Sequence, residues 1–139
     1  ATAKRLAGLE AAAKAAGEGA KLGFEPADAE AIARRYGSNA SKVFAYADRA
    51  RELEKRYGLP VRIGAELLYA IEAEMAATPA DFLIRRTSRL FFDIASVRRW
   101  KDHVAAAMGG ELNWTDEQLH AFAAEMDKRL EEATRPAAE

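Results

Sequence analysis

Three arginines lie close together in the most apolar part of the sequence. The stretch TPADFLIRRTSRLFFD, Thr78–Asp93, carries Arg85, Arg86 and Arg89 among large apolar side chains. Arginine is rarely buried without a partner. Its planar guanidinium binds carboxylates, phosphates and carbonyl oxygens. The cluster therefore predicts either an anion-binding surface or the solvated side of a helix.

Helical spacing separates these three arginines from one another. If the stretch is α-helical, Arg85 stands four residues after Asp81, and Arg89 stands four residues before Asp93. Each such pair contributes about 0.2–0.5 kcal/mol at a surface. Arg86 lies about 100° round the helix from Arg85 and has no acid at that spacing on its N-terminal side. Arg86 is then the candidate for docking a carboxylate, a phosphate or carbonyls, unless a distant acid of the same fold pairs with it.

The remaining reactive side chains do not form a recognisable site. His103 and His120 are the two histidines, neither has a second histidine at ligand spacing, and the chain has no cysteine. A metal site needs more ligands than this. No serine stands in a Gly-x-Ser-x-Gly turn, and no glycine-rich phosphate loop occurs. We therefore predict no catalytic, cofactor-binding or metal-ligating residue.

Three glutamates in the middle of the chain could be imagined as an acid/base pair. Glu66, Glu72 and Glu74 lie off the apolar stripe of the helix that contains them. Charged residues on the face opposite such a stripe are usually hydrated. We interpret them as a solvated helix face.

Composition limits the class of protein. The chain has 139 residues, of which 50% are hydrophobic, with a formal net charge of −1. This length supports one domain with a core, and the balanced charge offers no field for nucleic acid. No apolar run approaches the roughly 20 residues of a membrane span, and no signal peptide is visible. Because the chain begins with Ala, we expect a processed product or a fragment.

The elements that must hold these residues are predicted to be helices. Ala, Glu, Arg, Lys and Leu dominate, and no alternating strand pattern is present. One helix is predicted from Pro26 to Tyr36, with Gly37 at its left-handed stop. Ser38 is predicted to cap a second helix that reaches Tyr57, and Gly58 and Pro60 are predicted to end it.

The second half of the chain shows the clearest helix signals. Residues 62–77 are predicted to form a buried helix, and its apolar stripe is Ile63, Leu67, Ile71 and Met75. Thr78 is predicted to cap the arginine-bearing stretch. A helix from Asp93 is predicted to stop at Gly109-Gly110. The last helix begins with a capping box, Thr115 and Gln118, and a hydrophobic staple, Trp114 and Leu119.

Three segments, which follow the same order along the chain as in the family, are similar to one known family. YAIEAEMAATPADFLIRRTSRLFFDIASV, RRYGSNASKVF and NWTDEQLHAFAAEMDKRLEEA resemble the C-terminal helical domain of FAD-dependent (aerobic) glycerol-3-phosphate dehydrogenases and alpha-glycerophosphate oxidases. The resemblance covers roughly residues 24–134. Its most specific part is Glu-Met-x-x-Thr-Pro-x-Asp-Phe followed by Arg-Arg-Thr.

The resemblance implies an activity that belongs to a longer parent enzyme. The parent would oxidise sn-glycerol 3-phosphate to dihydroxyacetone phosphate, with FAD taking the hydride and electrons passing to quinone or oxygen. The flavin-binding and catalytic residues of the family lie in its N-terminal domains. The resemblance therefore implies no cofactor in this fragment and FAD in the parent, with Arg85-Arg86-Thr87 in a domain that packs on the rest of the enzyme.

We predict an all-α fold, an orthogonal bundle of five or six short helices in a single domain. Residues 1–22 are the helix or joint to a flavin domain, residues 23–135 the helical domain, and residues 136–139 a frayed tail. The fragment is expected to be inactive alone and to dock on the N-terminal flavin and substrate domains of the same polypeptide through Arg85, Arg86 and Arg89. The parent is expected to be cytoplasmic, able to form a homo-oligomer and to lie peripherally at a membrane, without a membrane span or nucleic acid partner. The alternative is a free-standing helical interaction module that holds an acidic partner with its arginine face.

Overall fold

The computed structural model describes residues 13–85 and 94–134, with side chains described for 13–83 and 95–132. Within those ranges every regular element is a helix, which confirms the all-α prediction. The elements in chain order are α1 (covering 13–21), α2 (Pro26–Tyr36), a 3-10 turn (Gly37–Asn39), α3 (Ala40–Phe44), α4 (Ala47–Tyr57), α5 (Val61–Ala73), a π-helix (Asp81–Arg85), α6 (Ile94–Leu112) and α7 (Asp116–Thr134). None of these described helices combines the length and the apolar character needed to cross a bilayer.

The described residues form two compact units. The first contains the residues up to Arg56 together with Pro60–Tyr69, and the second contains Tyr57–Leu59 with the residues from Ala70 onward. Helix α5 contributes to both units. The predicted domain boundaries at residues 22 and 135 stay predictions.

The core of the first unit is built around two phenylalanines. The rings of Phe24 and Phe44 lie 5.2 Å apart, centroid to centroid. Helix α1 reaches this core through Gly19, where a Cβ atom would lie 2.7 Å from Cζ of Phe44 and 2.9 Å from Cβ of Ala29. Only glycine allows so close an approach. The cluster consists of Phe24, Ala29, Ile32, Ala40, Val43, Phe44, Ala47, Ala50, Ala65 and Tyr69.

The connection between α1 and α2 is tied to α4. The Arg51 guanidinium donates to the backbone carbonyl of Leu22, and it also lies 2.8 Å from Oδ1 of Asp48. The end of α1 is therefore held at two places, by Arg51 and by the glycine contact with Phe44.

The prediction of one helix from Ser38 to Tyr57 is wrong, because a 3-10 turn and a turn at 45–46 interrupt this segment. Ser38 lies in the 3-10 turn, α3 ends at Phe44, and α4 begins at Ala47. No side chain caps α3. Val43 and Phe44 are both fully buried. The amide of Tyr46 bonds to the carbonyl of Val43 at 3.1 Å, within the turn that ends α3.

Glycine stops the helices on both sides of this region, as the sequence predicted. Gly37 and Gly58 have φ of 55° and 70°. Side-chain-bearing residues rarely adopt such values. Both positions therefore end their helices with a backbone that glycine adopts at least cost.

The end of α5 differs from the predicted helix over 62–77. Eight consecutive residues of α5, from Ile63 to Ala70, are buried. The helix ends at Ala73, and Met75 is then 84% exposed with a φ of 59°. The prediction of Met75 in the buried stripe is wrong, because the amide of Ala76 returns to the carbonyl of Ala70 at 2.9 Å and turns the chain.

Helix α6 continues through the predicted stop at Gly109-Gly110, so that prediction is wrong. The helix ends at Leu112, Asn113 has a φ of 56°, and the amide of Trp114 donates to the carbonyl of Gly109 at 3.0 Å. This bond across six residues, with a left-handed Asn before its donor, is a Schellman motif. Gly110 allows close packing instead: a Cβ there would lie 2.9 Å from Cζ of Tyr57.

Helices α6 and α7 form an antiparallel hairpin in the second unit. Near one end, Nζ of Lys101 lies 2.7 Å from Oδ1 of Asp127. At the turn, Leu119 lies against Gly109. The buried residues of this unit include Leu59, Phe82, Leu83, Val97, Val104, Ala105, Ala107, Met108, Met126 and Leu130.

The predicted capping box at the start of α7 is confirmed, and the predicted staple between Trp114 and Leu119 stays a prediction. The Thr115 amide donates to Oε1 of Gln118 at 2.8 Å, and the Gln118 amide donates to Oγ1 of Thr115 at 3.1 Å. The Trp114 ring packs on Phe122 with centroids 4.5 Å apart. The capping box and the aromatic contact together fix where α7 begins.

Candidate functional site

The arginines that the sequence singled out are only partly reached by the structure. Arg85 ends the π-helix that begins at Asp81, but its side chain is not described. Arg86, Arg89 and Asp93 lie outside the described residues. The predicted pairing of the arginines with Asp81 and Asp93 therefore stays a prediction.

The Asp81 side chain has a structural role at the start of this stretch. Its Oδ2 accepts a hydrogen bond from the Ala77 amide at 3.1 Å, and its own amide donates to Oγ1 of Thr78 at 3.1 Å. These reciprocal bonds confirm the predicted Thr78 cap. They fix the backbone that leads into the arginines.

The two histidines do not form a site in the described part of the chain. The His103 ring donates through Nδ1 to the Tyr57 carbonyl at 2.7 Å and packs edge-on against Trp100 at 5.1 Å. His120 is exposed on α7. The described residues contain no group of three metal-ligating side chains. His103 acts as a clamp on the end of α4.

The structure brings together a buried charge cluster that the sequence interpretation missed. Glu66 is only 1% exposed, so the prediction that it lies on a hydrated face is wrong. Helix α5 places Arg62 one turn before it, and α2 places Asp28, Arg35 and Tyr36 opposite. We call these five residues the Glu66 cluster.

Distances show how the carboxylate of Glu66 is held. The Tyr36 hydroxyl donates to Oε1 at 2.9 Å, and Nε of Arg35 lies 3.8 Å from the same oxygen. Oε2 lies 3.6 Å from Nε of Arg62 and is buried without a hydrogen bond among the described residues. Arg62 also reaches Oδ1 of Asp28 at 3.5 Å. One short hydrogen bond and two longer ionic contacts therefore face the buried charge.

Burial dominates the electrostatics of the Glu66 cluster. Removal from water raises the pKa of Glu66 to about 7, although the Tyr36 hydrogen bond and the charges of Arg62 and Arg35 act to lower it. Burial also raises the pKa of the Tyr36 hydroxyl, and the negative charge of Glu66 adds to this rise. Tyr36 therefore stays a neutral donor, while Glu66 exchanges its proton near neutral pH.

Glu66 can gain or lose a proton, but the Glu66 cluster is not accessible to a substrate. The Tyr69 ring, itself buried, stands edge-on to Tyr36 at 5.4 Å. A general acid or base must come within hydrogen-bond reach of its substrate. A carboxyl with 1% exposure does not meet this condition. Its chemistry is the coupling of protonation to packing between α2 and α5.

A sequence signal for this cluster exists. Glu66 is the one acid within the run Ile63–Ala70, whose other members are apolar or glycine. Helices that are apolar all round are buried, and a buried acid needs partners. Arg62, four residues earlier on the same helix, was the visible partner. The partners on α2 could not be seen, because no sequence spacing relates residues 30 positions apart.

Comparison with known proteins places the chain in a family. The family model described as the C-terminal domain of alpha-glycerophosphate oxidase matches residues 2–119. The aerobic glycerol-3-phosphate dehydrogenase of Bacillus subtilis (strain 168) is 41% identical over 119 residues, which is 86% of this chain and 21% of that protein. The alpha-glycerophosphate oxidase of Lactococcus lactis subsp. lactis (strain IL1403) is 43% identical over 117 residues, 84% of this chain and 18% of that protein.

A solved structure agrees with these relatives. The X-ray structure of the glycerol-3-phosphate dehydrogenase from Bacillus halodurans, complexed with FAD, matches with a TM-score of 0.82 and 40% sequence identity. The match covers 92% of this chain and 26% of that one. The chain thus spans about a fifth of the length of the curated relatives it matches. From the family model and these likenesses together, the chain belongs to the family of C-terminal domains of alpha-glycerophosphate oxidase and aerobic glycerol-3-phosphate dehydrogenase.

Proposed function

We propose that this chain is the C-terminal part of a longer FAD-dependent enzyme, and that it docks on and stabilises the flavin and substrate domains without catalysing the reaction. The observation that carries the proposal is the extent of the likeness. It covers 86% of this chain and 21% of the Bacillus subtilis enzyme. A segment of that kind is a domain of the larger protein.

The described site chemistry supports a structural role. The carboxyl with the strongly raised pKa, Glu66, is enclosed by its own partners. His103 is bonded to a backbone carbonyl. Catalytic groups must reach substrate or cofactor, and these two groups are engaged within the fold instead.

For the longer protein we propose the activity that the relatives' names carry. It would oxidise sn-glycerol 3-phosphate to dihydroxyacetone phosphate, with FAD accepting the hydride and quinone or oxygen accepting the electrons. The related structure from Bacillus halodurans is complexed with FAD. We place the flavin site in the upstream part of the polypeptide, and we place the enzyme in the cytoplasm, peripheral to the membrane, as a homo-oligomer.

Within this role, we assign docking to Arg85, Arg86 and Arg89. Their guanidinium groups suit carboxylates and carbonyls on a protein surface. The capping bonds of Thr78 and Asp81 hold the backbone at residues 77–81, just before these arginines in the sequence. Arg86 carries the most weight, because Asp81 and Asp93 stand at pairing distance in sequence from the other two.

Co-expression tests this proposal. The upstream flavin-binding part and this chain are produced as separate polypeptides, and co-purification and glycerol-3-phosphate oxidation are measured. We expect the wild-type pair to co-purify and Arg86→Ala to weaken retention about tenfold or more, as for one partner of a buried charged hydrogen bond. Arg56→Ala is the matched control, since Arg56 is exposed at the end of α4.

Two results would count against parts of the proposal. If the wild-type chains do not associate, the docking role fails and the free-standing interaction module becomes the better reading. If they associate and Arg86→Ala behaves like Arg56→Ala, the docking role stands and Arg86 is removed from it.

A further inference from the structure

Met75 combines two features that are unfavourable for a residue whose side chain contacts only water. It is 84% exposed, the larger of two exposures recorded for large hydrophobic side chains in the described residues. Its φ of 59° lies in the left-handed region, which non-glycine residues seldom occupy and which usually takes Gly or Asn. A flexible apolar side chain is thus exposed at a position whose backbone conformation is unfavourable for a residue with a side chain.

The surrounding structure holds this arrangement on both sides. Before Met75, the carbonyl of Ala70 accepts the amides of Glu74 at 3.1 Å and Ala76 at 2.9 Å. After it, the Ala77 amide donates to Asp81 at 3.1 Å. Strained backbone persists only where its surroundings over-determine it, and it concentrates at functional positions. Met75 is therefore presented at a fixed place.

The residues two positions before and after Met75 are small. Ala73 and Ala77 are both exposed, whereas Ala76 and Pro79 are buried. Methionine adapts its shape to irregular apolar surfaces and is favoured at binding surfaces. Small residues on both sides leave such a side chain free to enter a pocket.

We propose that Met75 is a docking residue whose side chain enters an apolar pocket on the flavin-bearing upstream part of the same polypeptide. The inference rests on the proposed function and names its contact point. The occupant is chosen because the match to this chain covers 21% and 18% of two of the relatives, so that about four fifths of each relative lies outside it. Met75 also stands three residues before Thr78, which caps the start of the arginine-bearing stretch.

Oxidation by hydrogen peroxide measures this contact in the full-length protein. Exposed methionine is converted to its sulfoxide, and buried methionine is protected. Met108 and Met126 are 0% and 1% exposed, so they serve as internal standards. The sulfoxide at each methionine is quantified by mass spectrometry, in native and in denatured full-length protein.

We expect Met75 in the native full-length protein to be protected about tenfold or more relative to the denatured protein, in line with Met108 and Met126. Oxidation of Met75 within about twofold of its denatured rate, while the two standards are protected, would overturn the inference. Protection that disappears when the protein is diluted to monomer would assign Met75 to a second copy and would overturn it as well.

A substitution separates docking from a purely local role. Met75→Gly removes both the side chain and the unfavourable backbone, so a residue with only a local role predicts unchanged retention by the upstream part. A docked residue predicts retention about tenfold weaker, from the lost apolar burial. Leu22→Ser is the control, because Leu22 is also an exposed large hydrophobic residue, at 45%. Wild-type association with unchanged Met75→Gly retention defeats this inference alone; loss of wild-type association defeats the proposed function.

Discussion

Burial of Glu66 disfavours the charged form of its carboxyl more than Tyr36, Arg62 and Arg35 favour it. Burial raises its pKa to about 7, from an ordinary value of 4.5. The folded protein therefore holds this proton more tightly than the unfolded chain does. The stabilising contribution is fully present below pH 4.5 and is lost as the pH rises through about 7.

The residue-scale prediction is a pH-dependent stability that belongs to Glu66. We expect the free energy of unfolding of the wild type, relative to Glu66→Gln, to fall as the pH rises from 5 to 8. The total loss is about 3 kcal/mol, from a shift of about 2.5 pKa units. Urea unfolding at four pH values measures it.

Tyr36→Phe provides the control for the same measurement. The Tyr36 hydroxyl bonds to the charged form of Glu66 and lowers its pKa. Its loss should cost about 1–3 kcal/mol at pH 8 and less at pH 5, where the carboxyl is protonated in the folded state. A wild-type stability that keeps a constant difference from Glu66→Gln over this pH range would remove Glu66 as the titrating group.

At the scale of elements, the two adjacent glycines of α6 differ in the space available for a Cβ atom. A Cβ at Gly110 would lie 2.9 Å from the Tyr57 ring, whereas a Cβ at Gly109 would lie 3.5 Å from Trp114 and 3.6 Å from Leu119. Both are helix-interior positions. Alanine at Gly109 would favour the helical conformation without a steric clash. Alanine at Gly110 would clash with the Tyr57 side chain.

The element-scale prediction is a difference in sign between these substitutions. Gly109→Ala should raise the free energy of unfolding by up to about 1 kcal/mol. Gly110→Ala should lower it by about 1–3 kcal/mol, because Tyr57 is anchored through its backbone carbonyl by His103. Chemical denaturation of both variants decides, and equal stabilisation by both would contradict the close approach of Tyr57.

Particular elements show why some structure could be predicted from the sequence and some could not. The caps at Thr115 and Thr78, and the glycine stops at 37 and 58, depend on neighbours within four residues and were predicted correctly. Gly110 was misread as a stop because its reason is a tyrosine 53 positions earlier in the chain. Caps and glycine stops can be predicted from nearby residues, whereas close packing between segments that are distant in the sequence cannot.

The same argument applies to the candidate site. Glu66 was assigned to water because its apolar stripe was drawn through Ile63, Leu67, Ile71 and Met75. The helix is instead buried on all sides from Ile63 to Ala70. An apolar stripe on one face is the usual pattern for a surface helix. The sequence of α5 contains such a stripe, although the helix is not a surface helix.

For the whole molecule, the family likeness explains the lack of an open reactive site in the described residues. The chain covers about a quarter of the Bacillus halodurans enzyme that is complexed with FAD. The proposed division of labour assigns chemistry to the upstream part and support to this chain. Resemblance identified the family from the sequence, because motifs such as the arginine-bearing stretch lie in a fixed order.

The whole-molecule prediction concerns flavin. The purified 139-residue chain should show no visible flavin absorption band after addition of FAD and gel filtration, because we place the flavin site upstream. The co-expressed pair should carry the band, which serves as the positive control. A band near stoichiometric occupancy in the chain alone would contradict the proposed division of labour.

The anchoring of α1 has a mechanical consequence. Gly19 sits against the Phe44 ring, and Arg51 holds the carbonyl at the end of the same helix. A pull or a twist applied along α1 is therefore resisted by packed side chains and is passed to α3 and α4. A displacement of α1 would therefore move α3 and α4 with it, whereas a flexible connection would not transmit the displacement.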